Sequence, residues 1–101
     1  MAVVFLTIAP LGTGTPSVSR YVAGVEKILR ATTLKHQLTA MGTIIEGDLD
    51  EILAVVRKMH EHPFTQGAVR VSTLLKIDDR RDKEHTIERK MRSVEEKLRR
   101  G

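Results

Sequence analysis

Cysteine is absent from the 101 residues. That removes disulfides, thiol catalysis and cysteine metal sites, and it fits a reducing cytosol, so a cytoplasmic location is expected. Tryptophan is absent too, and the aromatics are Phe5, Tyr21 and Phe64 alone, too few for a base-stacking platform. No apolar run nears the roughly 20 residues that a bilayer span needs, so no membrane partner is expected. The apolar N-terminal stretch has no basic lead-in and is short and β-rich, unlike a signal peptide. No Ser-His-Asp, paired-carboxylate or zincin spacing is visible, so catalysis has no seat in the sequence.

A one-signed charge field is also missing. The net charge is +4, but residues 1–79 hold eight Lys or Arg and eight Asp or Glu. The excess lies wholly in residues 80–101, with nine basic and five acidic side chains. There the signs alternate, as on a solvated, ion-paired helix face, and nucleic acid is not an expected partner. His60-Glu61-His62 resembles a metal tract but ends a helical pattern with no third ligand in view, and His36 and His85 stand alone. No metal site is expected.

What is present reads as one domain, 1–101, with 79–101 as a helical C-terminal extension. Val3 to Ala9 is apolar and β-branched. Val4, Leu6 and Ile8 face one way; Val3, Phe5, Thr7 and Ala9 face the other, and both sets are largely apolar. The stretch Ile8 to Arg20 follows, with two glycines, two prolines and four hydroxyl residues. Gly12-Thr13-Gly14 between a strand and a helix has the means to cradle an anion, but it lacks the third glycine of a dinucleotide fingerprint and the lysine of a P-loop. A capped turn is the plainer reading. Thr15-Pro16 suits a helix start, with Ser17 the other candidate cap. Val18, Val22, Val25 and Leu29 form one apolar stripe, ending near Ala31.

Leu34–Thr39 and Gly42–Glu46 read as two short strands around a tight connection at Ala40-Met41. Thr43 and Ile45 share one face of the second, Ile44 and Glu46 the other. Asp48 with Glu51 starts a second helix in the manner of a capping box. Its stripe is Leu49, Ile52, Leu53, Val56 and Met59, and His62-Pro63 is expected to end it. Ala68–Ile77 is the last strand, long enough to outrun its neighbours and offer an end to another subunit. A third helix carries Ile87, Met91, Val94 and Leu98 as a narrow seam for its own sheet or a partner's helix.

The order is β-α-β-β-α-β plus a C-terminal helix. This predicts an α+β, ferredoxin-like sandwich: a four-stranded antiparallel sheet with two helices on one face. The other face would expose Val3, Phe5 and Leu74, at about 1.5–3 kcal/mol each. A second copy packed sheet to sheet is the expected cover. Thr7, Thr39, Thr43 and Ser72, with Arg70, interrupt apolar strands; they fit either a polar pocket between sheets or threonine's ordinary β preference. Glu46 closes an apolar strand as a ligand's acceptor, as a strand-end residue facing water, or in a salt bridge to Arg70 or Lys76.

Three stretches together carry a family resemblance: Pro10-Leu-Gly-Thr-Gly-Thr-Pro-Ser-Val-Ser-Arg-Tyr-Val22, Leu38-Thr-Ala-Met-Gly-Thr-Ile-Ile-Glu-Gly47 and Arg70-Val-Ser-Thr-Leu-Leu-Lys-Ile-Asp-Asp-Arg80. The chain resembles the small thiamine-binding YkoF-like family, long catalogued as uncharacterised. That resemblance implies a ferredoxin-like fold and dimers assembled into tetramers. It also implies non-catalytic binding of thiamine or its hydroxymethylpyrimidine part, in thiamine supply or salvage, with no cofactor besides that ligand. Within the resembling motifs, Thr39, Thr43 and the backbone at Met41-Gly42 are assigned to the pyrimidine, with Met41 against its ring. Glu46 is assigned to the amino group or the cation, and Thr13, Ser17 and Ser19 to the hydroxyl end. The alternative is a regulatory oligomer sensing another metabolite or a phosphate ester. An acylphosphatase-like enzyme ranks last, because the loop after the first strand has no arginine before Arg20.

Overall fold

The computed structural model describes residues 1–12, 14, 19–82 and 86–100. Seven elements follow in order: β1 (Ala2–Pro10), α1 (Ser19–Arg30), β2 (Lys35–Leu38), β3 (Thr43–Gly47), α2 (Leu49–Thr65), β4 (Val71–Asp79) and α3 (Ile87–Arg100). The sheet is antiparallel in the order β2-β3-β1-β4. This is the ferredoxin-like arrangement, with α1 and α2 together on one face. The proposed helix start at Thr15-Pro16 or Ser17 lies outside the described residues, as does Val18 of the α1 stripe.

The alternation of β1 builds the core. Val4 and Leu6 are buried against α1 and α2, beside Ile45 of β3. Leu29, Ile45, Ile52 and Met59 have no exposed surface. Each helix contributes one stripe, Val25 and Leu29 from α1, Ile52, Val56 and Met59 from α2. Asp48 caps α2 by accepting from the Glu51 amide at 3.3 Å. Leu53, expected in the stripe, is 40% exposed.

Three expectations need correction. The helix does not stop at His62-Pro63. Pro63 sits in the last turn, so its ring displaces a single backbone bond, and its buried side chain joins the core. Gly67, at φ +97°, is the real terminator. The Gly67 amide donates to the Phe64 carbonyl and the Ala68 amide to the Pro63 carbonyl, which is a Schellman closure. Next, the last strand begins at Val71, not Ala68, and Val69 is 85% exposed. It does not outrun β1: the two pair residue for residue from Ala2–Asp79 to Pro10–Val71. Finally, Val3 is buried, not open to solvent. Its cross-strand neighbours are Glu46 and Asp78, and α3 is tied to both.

α3 therefore stands on the face opposite α1 and α2. The Ile87 amide donates to Glu46 Oε2 at 2.6 Å and Lys90 Nζ to Asp78 Oδ2 at 2.9 Å. Its seam does not pack on its own sheet: Met91, Val94 and Leu98 are 61%, 56% and 74% exposed.

Candidate functional site

The β2–β3 turn is knitted by one hydroxyl. Thr39 Oγ1 donates to the Gly42 carbonyl at 2.8 Å and accepts from the Met41 and Gly42 amides, both at 3.2 Å. Gly42 is required by close approach: a Cβ there would lie 2.6 Å from Phe5 Cζ and 2.8 Å from the Leu6 carbonyl oxygen. The turn is thus pressed against the middle of β1. Met41, at its tip, is 80% exposed.

Between this turn, β1 and α1 lies a pocket of about 190 Å³. Its walls are apolar, from Leu6, Ile8, Val22, Val25, Leu38 and Met59, with Thr7, Thr39, Met41 and Gly42 toward the turn. Two further lining residues are polar and buried. Thr43, 6% exposed, donates its hydroxyl to Glu26 Oε1 at 2.7 Å, and Glu26 is itself 7% exposed. No cation stands against Glu26 among the described residues. A buried carboxylate wants several donors, so a pocket with this floor suits a small, flat ligand that carries N–H groups.

Four of the assigned residues, Thr39, Met41, Gly42 and Thr43, therefore meet at one pocket. It lies between helix and sheet. Thr13 and Ser17 lie outside the described residues. Ser19 opens α1, is exposed and does not line the pocket. Glu46 stands apart. It is 5% exposed on the other face of β3, accepting from the Ile87 amide and lying 3.6 Å from Lys35, not bridged to Arg70 or Lys76. It belongs to a second, open cleft of about 1130 Å³ beneath α3, where acidic and basic side chains are interleaved. Lys35 also reaches Glu88 there, at 3.4 Å. Arg80, hydrogen-bonded to Asp82, and Arg81, hydrogen-bonded to Asp79, are held above the ordinary guanidinium pKa by those carboxylates.

Glu26 was missed by sequence reasoning. A signal existed: it falls four residues after Val22 and three before Leu29, on the buried side of the α1 stripe. The histidines of the His60-Glu61-His62 tract have separate structural partners. His60 Nδ1 is 2.6 Å from Thr73 Oγ1, and His62 packs where a Cβ on Gly24 would stand. No helix is long and apolar enough to cross a membrane among the described residues.

Comparison with known proteins places this architecture. The profile of the thiamine-binding protein family matches residues 4–95. The UPF0045 protein YqgV of Bacillus subtilis is 51% identical, over 97% of this chain and 98% of its own. The crystal structure of the hypothetical protein MJ1052 from Methanocaldococcus jannaschii superposes with a TM-score of 0.85 at 43% identity, covering 94% of this chain and 96% of that one. A Thermotoga maritima protein described as a candidate for thiamine biosynthesis or salvage shares the fold, with a TM-score of 0.75 at 21% identity over 92% of this chain and 97% of that one. With a profile that spans nearly the whole chain and a relative half identical to it, the chain belongs to the thiamine-binding protein family.

Proposed function

We propose that the protein binds thiamine or its hydroxymethylpyrimidine part, without catalysis, in thiamine supply or salvage. The observation that carries this reading is the pocket between α1 and the β2–β3 turn, in a chain whose family is thiamine-binding. Its volume of about 190 Å³ lies below the roughly 300–1,000 Å³ of sites for drug-sized ligands, which suits a single substituted ring. The pyrimidine enters and the rest of thiamine projects past Met41. The residues around the ring offer apolar contact, hydroxyls and a carboxylate, the means to hold an aminopyrimidine.

Assembly into a dimer or tetramer through the uncovered sheet face belongs to the same reading. It is supported by the 63% exposure of Leu74 on that face, beside the bare seam of α3. Calorimetric titration with thiamine, thiamine phosphate and the pyrimidine alone tests the binding. Heat and a thermal shift are expected with thiamine and with the pyrimidine. Silence with all three at millimolar concentration would sink the proposal.

A further inference from the structure

Among the described residues, Glu26 is the one charged side chain that lines the pocket, and its surroundings leave it incomplete. The residue is 7% exposed, and among the described residues its carboxylate receives a single bond, from the neutral hydroxyl of Thr43 at 2.7 Å. An ionised carboxylate has room for about four hydrogen bonds, and a buried charge with one neutral donor is costly to keep. The donors of the β2–β3 turn are engaged within the turn itself. The Thr39 hydroxyl donates to the Gly42 carbonyl, and the Met41 and Gly42 amides donate to Thr39. The cavity that Glu26 lines is where further donors can enter.

We infer that Glu26 reads the edge of the ligand's ring, accepting from the exocyclic amino group of a 4-aminopyrimidine and rejecting the 4-oxo ring of the same shape. This rests on the pocket being the pyrimidine site. Thr43 is the positioning residue: it fixes one carboxylate oxygen and leaves the other for the ligand. With the ring in the same orientation, a 4-oxo ring sets a carbonyl oxygen where the amino group would donate, so two acceptors face each other at that position. Failure to pair a buried polar group is what makes such rejection strong.

The test is calorimetry at neutral pH on the full chain, with 4-amino-5-hydroxymethyl-2-methylpyrimidine and its 4-oxo counterpart as probes. The wild type should favour the amino compound by about tenfold or more, the scale of one hydrogen bond to a charged group. Glu26→Gln, whose amide offers both a donor and an acceptor, should narrow that preference to roughly threefold or less. Glu26→Asp should keep the preference while weakening both affinities. Thermal melting verifies that each variant is folded. If Glu26→Gln does not fold, the wild-type ratio and the Asp variant decide. A wild type that binds the amino compound with no preference, or a folded Gln variant that keeps the full preference, overturns the role of Glu26 and leaves pyrimidine binding intact. A wild type that binds neither probe overturns both.

Discussion

Gly42 and Thr43 are adjacent, yet they matter for different reasons. At Gly42 the constraint is space. Any side chain would meet the Phe5 ring and the backbone oxygen of Leu6, and backbone cannot swing away. Gly42→Ala should therefore lower the unfolding free energy by about 1–3 kcal/mol, read by urea denaturation, and shift the turn away from the pocket. At Thr43 the constraint is chemical. Thr43→Val preserves shape but strips the Glu26 carboxylate of its one partner among the described residues, so stability should fall by about 1–3 kcal/mol. An unchanged denaturation midpoint would show that the carboxylate does not need that hydroxyl. The tight connection at Ala40-Met41 was legible in the sequence because such a turn is written in neighbouring residues. Glu26 was not, because its partner lies 17 positions away.

Among the elements, α3 is held at its start by polar contacts with the sheet. The Glu46 carboxylate caps its first amide, Lys35 bridges Glu46 to Glu88, and Lys90 reaches Asp78. An acidic side chain at a helix N-terminus satisfies an orphan amide and complements the helix dipole. Glu46→Ala should speed hydrogen exchange at the amides of the first turn of α3 while leaving pyrimidine affinity within about twofold, since Glu46 and the pocket occupy opposite faces of β3. A large loss of affinity would return Glu46 to the ligand site. The face on which Glu46 sits follows from strand alternation alone. The helix that lands on it does not, because that contact spans 41 positions. α2 teaches the converse. Pro63 looked like a stop, but a proline in the final turn displaces one bond, and the Schellman closure at Gly67 ends the helix.

At the scale of the molecule, the two faces of the sheet are unequal. One is sealed by α1 and α2. The other leaves Leu74 exposed, next to a helix whose Met91, Val94 and Leu98 face solvent. If copies assemble through this face, Leu74→Glu and Met91→Glu should each shift the mass in light scattering toward the monomer without lowering helix content. A wild type that is monomeric at micromolar concentration would remove the assembly.

The order of elements, the antiparallel sandwich, the α2 cap at Asp48 and the tight connection at Ala40-Met41 were all determined by the sequence. Each is set by periodicities of two or 3.6 residues, or by caps within a few positions. Three things were decided by tertiary structure alone: that Glu26 meets Thr43 at the floor of a pocket, that Glu46 turns away to hold α3, and that the α3 seam stays bare. The reason is physical. Which polar side chains end up facing one another across layers depends on how helices cross the sheet and where the chain returns. Those placements follow from packing summed over contacts distant in sequence, and no local pattern encodes them.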